Sequence, residues 1–219
     1  MSQHYFVTGT DTDSGKTYIS QGLLKYFNQK GYKTAGIKPI ASGGSMVDGK
    51  FVNDDALLLK ENSSVSMPYE QVNPIIFEEP ISPNIPAKET LTVDSIITSL
   101  QPSLSLPADV FILEGVGGWH VPLNSQQTME DLVKALKLPV ILVVGMRLGC
   151  LNHSLLTFRA ILNSGLTCVG WIANQIDPNM LAVPENIKTL EQHIAAPCLG
   201  VVGYQQKPEE LLFLNADIA

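Results

Sequence analysis

A lysine and a threonine stand just after a short apolar run near the start of the chain. The stretch FVTGTDTDSGKT covers residues 6–17, and Gly15, Lys16 and Thr17 close its small, polar part. Backbone N–H groups at a helix N-terminus, a lysine charge and a hydroxyl are the groups that bind a polyphosphate and its Mg²⁺. The stretch therefore predicts a phosphate-binding loop between a strand and a helix.

The glycine that opens this loop stands one place earlier than the usual pattern requires. In G-x-x-x-x-G-K-[ST] the first glycine would be residue 10, but that residue is Thr10 and the glycine is Gly9. We expect Gly9 still to provide the turn, in a loop that is longer before its tight bend. The alternative is an ordinary strand–turn–helix with a surface lysine.

Two acidic positions could supply ligands for the metal. Asp55 follows Asp54 at the start of an apolar helical run, and Glu114 ends an apolar run. A carboxylate at the end of an apolar strand is poorly solvated and needs a cation or hydrogen-bond donors. Mg²⁺ held by Thr17, Asp55 and Glu114, with water and phosphate, would meet that need. For Asp55, a helix N-cap or first-turn acid is the alternative.

A second lysine, Lys38, closes another apolar run in GIKPIASGG. Pro39 follows it and cannot continue the hydrogen-bond ladder of a strand, so we expect the Lys38 side chain at the carboxyl edge of the sheet. Near a phosphate loop, such a lysine could stabilise transferred charge or lower the pKa of a reacting amine. A solvated lysine at the end of a strand is the alternative.

The elements that must position these residues alternate along the chain. The strand-like runs are 5–8, 34–39, 109–115, 139–145, 168–174 and 198–202. The helix-like stretches are 16–29, 93–100, 129–136, 152–163 and 184–193. Several strand-like runs are continuously apolar, as in strands buried on both faces of a parallel sheet. The pattern predicts an α/β fold: a doubly wound, mostly parallel sheet of the P-loop nucleoside-triphosphate hydrolase type, with ligands at the carboxyl ends of its strands.

Two segments, residues 43–53 and 61–90, break the alternation and are predicted to be long connections. Loops of that length are uncommon in compact domains unless they cover a site, and simple surface excursions are the alternative. The length of 219 residues does not require two domains. We expect a single P-loop ATP-binding domain over residues 1–219.

The composition narrows the classes of function. No apolar run approaches the roughly 20 residues of a membrane-spanning helix, and the N-terminus does not resemble a signal peptide, so we expect a cytoplasmic protein without a membrane partner. The net charge of -7 argues against a nucleic-acid partner, because phosphate backbones are met by clustered Lys and Arg. The 3 cysteines are widely spaced, which argues against both a disulfide framework and a zinc site.

Five segments carry the most specific features of the chain. They are GTDTDSGKT (9–17), GIKPIASG (36–43), EGVGGW (114–119), PVILVVGMRLGCLNHSLLT (139–157) and GWIANQIDP (170–178). Together they resemble the dethiobiotin synthetase family, the ATP-dependent enzymes of biotin synthesis. The resemblance runs through nearly the whole chain, and the substrate is implied by it alone.

The resemblance implies a reaction in which CO₂ (or bicarbonate) joins 7,8-diaminononanoate. ATP and Mg²⁺ then phosphorylate the carbamate, and ring closure releases ADP and phosphate. Lys38 and Lys16 would be the catalytic residues, and Thr17, Asp55 and Glu114 would hold the metal. Positive charge suits a carbamate oxygen attacking the γ-phosphoryl group, because positioning and charge neutralisation provide most of the catalysis in such transfers.

The resemblance also implies the binding residues. Those for the nucleotide are Asp13, Ser14, Gly15, Lys16, Thr17, Tyr18, Asp55, Glu114, Gly115, Val116, Gly117, Asn174, Gln175, Gly203, Tyr204 and Gln205. Asn174 would read adenine, since an amide can donate and accept at once. Thr12 and Ser42 would contact the substrate. The chain would form a homodimer, in which Leu151 and Asn152, at a helix N-terminus, bind the carboxylate of the substrate held by the other subunit.

Three positions depart from the family pattern. Asp13 stands where Glu is frequent, Asn186 where a tyrosine is common, and Gly203 where a proline is common. They affect the carboxylate pocket and the adenine loop more than the phosphate site.

The alternative function is that of a partition or cell-division ATPase, a switch of the same superfamily. Those proteins carry a signature lysine at the position of Asp11. An amide ligase of the cobyrinate type would need a second, glutamine-hydrolysing domain, and a small-molecule kinase would release a phosphorylated product.

Overall fold

Strands and helices alternate along the chain, which the computed structural model describes over residues 2–88 and 90–210. The strands are β1 (Gln3–Gly9), β2 (Thr34–Ile37), β3 (Ile40–Ser42), β4 (Ser45–Val47), β5 (Lys50–Val52), β6 (Ile75–Phe77), β7 (Val110–Glu114), β8 (Val140–Met146), β9 (Cys168–Gln175) and β10 (Cys198–Val202). The α-helices are α1 (Lys16–Gln29), α2 (Asp54–Asn62), α3 (Tyr69–Val72), α4 (Asn84–Ala87), α5 (Val93–Leu104), α6 (Met129–Leu136), α7 (Cys150–Asn163) and α8 (Val183–His193). Short 3₁₀ turns span Thr12–Ser14 and Pro208–Glu210. Both predicted limits of the domain, residues 1 and 219, lie outside the described residues.

The central sheet has the strand order β10-β9-β8-β1-β7-β2, and all its neighbouring strands are parallel. Its six strands correspond to the six apolar runs of the sequence. Every residue of β7 and of β8 is buried, so the sheet is covered on both faces. The prediction of a doubly wound, mostly parallel α/β sheet is confirmed.

The helices begin and end close to the predicted positions, with three differences. α5 continues past residue 100 to Leu104 although Pro102 lies inside it, and only one backbone N–H is lost there. α7 begins at Cys150, directly after Gly149, whose φ of 95° sets the turn into the helix. α8 begins at Val183 rather than at residue 184.

The two segments predicted to be long connections contain regular structure, so that prediction was wrong. β4 and β5 form an antiparallel pair within residues 43–53, and β6 of the second segment pairs with β3 in parallel. The second segment also contains the end of α2 and all of α3 and α4. Elements of three or four residues are too short to show a helical or alternating period, which is why the sequence pattern missed them.

The carboxyl ends of β1, β7 and β2 meet at one edge of the sheet. Val7 lies opposite Glu114, and Ile37 lies opposite Leu113. The residues that follow these strands therefore start from neighbouring positions along the same edge. None of the helices within the described residues is both long and apolar enough to span a membrane.

Candidate active site

The predicted phosphate loop is a tight turn between β1 and α1. The Asp11 carboxylate caps the 3₁₀ turn by accepting from the Thr12 N–H at 2.8 Å. Gly15 has a φ of 83° and precedes the first residue of α1. This left-handed conformation is strained for residues with a Cβ, so glycine is the residue that fits here. The backbone N–H groups of the first turn of α1 have no partners within the helix and suit an anion.

Gly9 is the glycine that stands one place early, and packing explains its position. A Cβ on Gly9 would lie 2.0 Å from Ser14 Oγ and 3.0 Å from the Asp11 carbonyl oxygen. Thr10 still bonds to β8: its N–H donates to Val143 O at 3.0 Å. Thr10 therefore continues the line of β1 by one residue, and the bend follows it.

Lys16 folds back over the loop. Its Nζ donates to the carbonyl oxygens of Asp11 and Thr12, each at 3.1 Å, and the residue is 5% exposed. Burial, together with the positive charge of Lys38, lowers the pKa of Lys16 to about 8. The ammonium group is thus available at the floor of the cleft but poorly solvated.

Lys38 lies directly after β2 and is buried in a cluster of carboxylates. Its Nζ contacts Glu114 Oε1 at 2.5 Å and Asp55 Oδ2 at 3.0 Å, and it donates to Gly115 O at 3.3 Å. Burial alone would lower the pKa of Lys38, but the charges of Glu114 and Asp55 raise it above its ordinary value. Lys38 is therefore a charged, internal ammonium rather than a solvated lysine at the end of a strand.

Asp55 is a first-turn acid of α2, which was one of the alternatives for it, and it is not the N-cap. It lies in the first turn of α2, where the N-cap is Asn53, whose side chain accepts from the Ala56 N–H at 3.2 Å. Asp55 also pairs with Lys38. Burial would raise the pKa of Asp55, but the attraction of Lys38 outweighs it and the pKa is lowered. The carboxylate is ionised at neutral pH.

The three predicted metal ligands belong to one connected cluster. Thr17 Oγ1 donates to Glu114 Oε1 at 2.8 Å, and Asp55 joins them through Lys38. Glu114 Oε2 is buried without a hydrogen-bond partner, which is a costly state for a carboxylate oxygen. Within the described ranges no group of three or more His, Cys, Asp or Glu side chains could hold a metal. A hydroxyl and two carboxylates, completed by phosphate and water, fit Mg²⁺.

A cleft of about 640 Å³ opens above this cluster. Its lining includes these polar residues and glycines: Thr12, Asp13, Gly15, Lys16, Thr17, Lys38, Ser42, Asn53, Asp55, Ser82 and Gly117. Its apolar lining residues are Pro80, Ile81, Pro83, Val116 and Val121. Ser42 Oγ is buried without a hydrogen-bond partner. The cleft can therefore hold a ligand with an aliphatic part and charged ends.

A second group of predicted site residues lies apart from the cleft lining, at the ends of β9 and β10. Asn174 is buried and donates from Nδ2 to Ser14 O at 2.9 Å, and it lies opposite Val202 in the sheet. A Cβ on Gly15 would lie 2.1 Å from that same Nδ2. Gln175, which is half-buried, ends β9, and the segment from Gly203 to Gln205 follows β10.

The remaining predicted residues are spread around the cleft. Ser14 and Gly115 are buried and are not part of the lining, and Tyr18 is exposed on α1. Leu151 and Asn152 lie in the first turn of α7 and do not line the cleft. The structure thus brings together the residues predicted to bind phosphate and metal with the two lysines, and it leaves the predicted carboxylate contacts of α7 outside this cleft.

The sequence reasoning missed several residues of the site. Asn53, Val121 and the segment 80–83 line the cleft, and Arg147 pairs with Asp11 of the phosphate loop. The two prolines in PISP were a usable signal, because they fix the backbone of a segment that was suspected of covering a site. Val121 gave no signal that distinguishes it from a core residue.

A phosphate loop after the first strand, with Lys38 and Glu114 at the ends of β2 and β7, defines a P-loop nucleotide-binding protein. The septum site-determining protein MinD with Mg-ADP from Pyrococcus horikoshii has this fold: TM-score 0.58, 15% identity, 96% of this chain and 86% of that one. The signal recognition particle receptor FtsY with GDP from Elizabethkingia anophelis shares it too: TM-score 0.52, 18% identity, 98% and 61% covered. Residues 3–210 match the family described as AAA domain.

The sequence is far closer to one group of enzymes. It is 49% identical to the ATP-dependent dethiobiotin synthetase of Cellvibrio japonicus, over 90% of this chain and 88% of that one. It is 46% identical to the enzyme of Pseudomonas paraeruginosa, with the same coverage, and 44% identical to that of Yersinia pestis bv. Antiqua, over 96% and 88%. The chain belongs to the ATP-dependent dethiobiotin synthetase family, and the resemblance of its five segments is confirmed.

Proposed function

We propose that the protein forms dethiobiotin from 7,8-diaminononanoate, CO₂ and ATP, with release of ADP and phosphate. The carrying observation is the cluster of Lys38, Glu114, Asp55 and Thr17 beside the phosphate loop. It stands in a chain that is 49% identical to a named dethiobiotin synthetase.

The triphosphate of ATP would be bound by the N-terminus of α1. The backbone N–H groups from Asp13 to Tyr18 and the Lys16 ammonium supply donors and positive charge for it. Asn174, at the end of β9, would face the adenine, with Gln175 and the segment from Gly203 to Gln205 beside it. This assignment divides the edge of the sheet into a phosphate side at β1 and a base side at β9 and β10.

The diamine would occupy the cleft with its aliphatic chain against the apolar lining residues Pro80, Ile81, Pro83 and Val121. Burial of methylene groups against such side chains stabilises the complex by roughly 0.8 kcal/mol per group. The hydroxyls of Thr12 and Ser42 are in the lining and can bond to the amine and carbamate ends. The unpartnered Ser42 Oγ supports this orientation.

The proposed reaction has three steps. One amine nitrogen adds to CO₂ and loses a proton, which gives a carbamate. A carbamate oxygen attacks the γ-phosphorus, and ADP leaves. The second amine attacks the carbonyl carbon, loses a proton and expels phosphate, which closes the cyclic urea. Lys38 and Lys16 place two positive charges beside the transferring phosphoryl group, where charge neutralisation provides most of the catalysis.

Mg²⁺ would be held by Thr17, Asp55 and Glu114, and when bound it would neutralise the charge of the phosphates. The unpartnered Glu114 Oε2 supports this proposal, because it leaves one carboxylate oxygen free for a cation. The relatives of this chain are described as ATP-dependent. The binding of Mg²⁺ by these three residues is our own proposal.

A homodimer would complete the site. Leu151 and Asn152 are in the first turn of α7, whose N-terminus would bind the carboxylate of the substrate held by the other subunit. Large apolar side chains near this helix are exposed, including Leu148 at 95% and Leu156 at 58%. This exposure supports the proposal, because exposed apolar patches mark interaction sites and a second copy of the chain would cover these side chains.

The direct test is ATP turnover with Mg²⁺, with and without 7,8-diaminononanoate and bicarbonate, while the organic product is identified by mass. We expect ADP release that depends on the diamine and accompanies the cyclic urea. ADP release that ignores the diamine and responds to lipid or DNA would instead favour the partition-type switch. Asp11 at the position of the signature lysine already argues against that switch.

In Lys38→Ala, unchanged turnover with ATP still bound would remove Lys38 from the mechanism.

A further inference from the structure

The segment that follows β10 is closed by a small hydrogen-bond network around Gln206. The Gln206 N–H donates to Gly203 O at 3.0 Å, and the Gly203 N–H donates to Gln206 Oε1 at 3.0 Å. Gln205, between them, has a φ of 58°, which is uncommon for a residue with a side chain. A Cβ on Gly203 would lie 2.5 Å from Gln206 Oε1. A side chain at position 203 would therefore displace the Gln206 amide from this hydrogen bond.

This turn is fixed to α1 along one face of the helix. Tyr18 donates its hydroxyl hydrogen to Gln206 O at 2.6 Å. One turn later, Gly22 allows Pro208 to pack against the helix, since a Cβ there would lie 2.3 Å from Pro208 Cβ. Lys25 then pairs with Glu209 at 3.6 Å. Positions 18, 22 and 25 are spaced four and three residues apart, which places them on one face.

The position of the turn matches the base side of the nucleotide, and this step rests on the proposed function. The charged cluster that would meet the γ-phosphate lies at β7 and β2, on one side of β1. The nucleoside must then extend to the other side, toward β8, β9 and β10. There Asn174 is buried at the end of β9, and Val202, opposite it on β10, leads directly into Gly203.

We propose that Tyr18 and Gln206 are positioning residues that set the base-binding segment from Gly203 to Gln205, and so determine the preference for the nucleotide base. α1 carries both ends of the site: its N-terminus meets the phosphates, and its next turns hold the base segment. Loosening the Tyr18–Gln206 contact weakens recognition of the base and leaves the phosphate contacts intact, because the backbone N–H groups of Gly15 to Thr17 are unchanged.

The test compares ligands that share the phosphates but differ in the base. We would measure the dissociation constants of ATP, GTP and inorganic tripolyphosphate, each with Mg²⁺, by calorimetry on the full chain. In Tyr18→Phe and in Gln206→Ala we expect ATP affinity to fall about fivefold, in line with one lost hydrogen bond. Tripolyphosphate affinity should stay within about twofold of the wild-type value, because the phosphate contacts are unchanged. The ratio of ATP affinity to GTP affinity should fall, because recognition of the base is weakened.

A matched control is Tyr32→Phe, which removes the same hydroxyl from an equally exposed tyrosine. Tyr18 and Tyr32 are each 38% exposed, but Tyr32 packs against Phe27 beyond the other end of α1. We expect Tyr32→Phe to leave the three dissociation constants unchanged. Thermal unfolding of each variant checks that the chain is folded.

Three results would overturn the inference. Equal losses of ATP and tripolyphosphate affinity would show that Tyr18 supports the phosphate loop instead. Unchanged ATP affinity in both variants would show that the network positions nothing. A wild-type chain that binds ATP no more tightly than tripolyphosphate would show that the base is not recognised. The proposed synthetase reaction is tested independently of this result, by detection of its cyclic product.

Discussion

The buried pair of Lys38 and Glu114 allows a thermodynamic test of the site in the absence of any ligand. The two residues are 4% and 0% exposed, and their charged atoms lie 2.5 Å apart. Removing one partner of such a pair leaves a buried charge without compensation, which costs about 3–5 kcal/mol of unfolding free energy. We expect Lys38→Met to destabilise the chain by about 4 kcal/mol.

Replacing Glu114 instead of Lys38 should lower the free energy of unfolding by less, because the two residues differ in the contacts that remain. In Glu114→Gln, Lys38 keeps its contacts with Asp55 and with the Gly115 carbonyl oxygen. In Lys38→Met, Glu114 keeps only the Thr17 hydroxyl as a side-chain donor among the described residues. We expect about 2 kcal/mol for Glu114→Gln, and a coupling of at least about 2 kcal/mol in the double variant.

The assay is urea unfolding in buffer without nucleotide and with a chelator, followed by far-UV circular dichroism. The control is Lys50→Met, which removes an ion pair with Glu70 on the surface, where both side chains are more than half exposed. That variant should leave the midpoint unchanged. Additive losses in the double variant, or equal losses in the two single variants, would refute the reasoning about this cluster.

Three further predictions concern the phosphate loop and the core. ATP affinity should fall about tenfold between pH 7 and pH 9 in titration calorimetry, because Lys16, whose pKa is about 8, loses its proton over that range; a flat profile would contradict the charge assigned to it. Gly9→Ala should weaken ATP binding through the 2.0 Å approach to Ser14 Oγ, and Gly9→Ala/Ser14→Ala should recover part of it; no recovery would exclude this clash as the cause. Gly170→Ala should lower the unfolding free energy by about 1–3 kcal/mol, since its Cβ would lie 2.4 Å from Leu199 Cγ, while ATP affinity is retained; an unchanged midpoint would mean that the core adjusts freely.

The strands of the central sheet could be predicted because their signal is local. A run such as that of β8, which is apolar and buried throughout, can be recognised from its own seven residues. The order of the strands could not be predicted in the same way. β7 lies between β1 and β2 although it follows them by some 70 residues or more, and this arrangement depends on contacts that no local pattern encodes.

In the site, too, local motifs could be predicted from the sequence and contacts between distant residues could not. Gly15, Lys16 and Thr17 form a contiguous motif whose chemistry can be read directly, whereas Lys38 and Glu114 are 76 residues apart. The sequence placed each at the end of an apolar run but not in contact with the other. The contact between Tyr18 and Gln206 spans 188 residues and joins two residue types with no shared signature, so it was not predictable.

The balance of charges in the cluster around Lys38 bears on how the chain folds. Lys16 and Lys38 carry two positive charges beside the two negative charges of Asp55 and Glu114. The carboxylates therefore have an internal counter-ion during folding, unlike sites that stay unfolded until a metal arrives. We therefore expect the chain to fold without a divalent cation, so that a chelator leaves the unfolding midpoint of the protein unchanged.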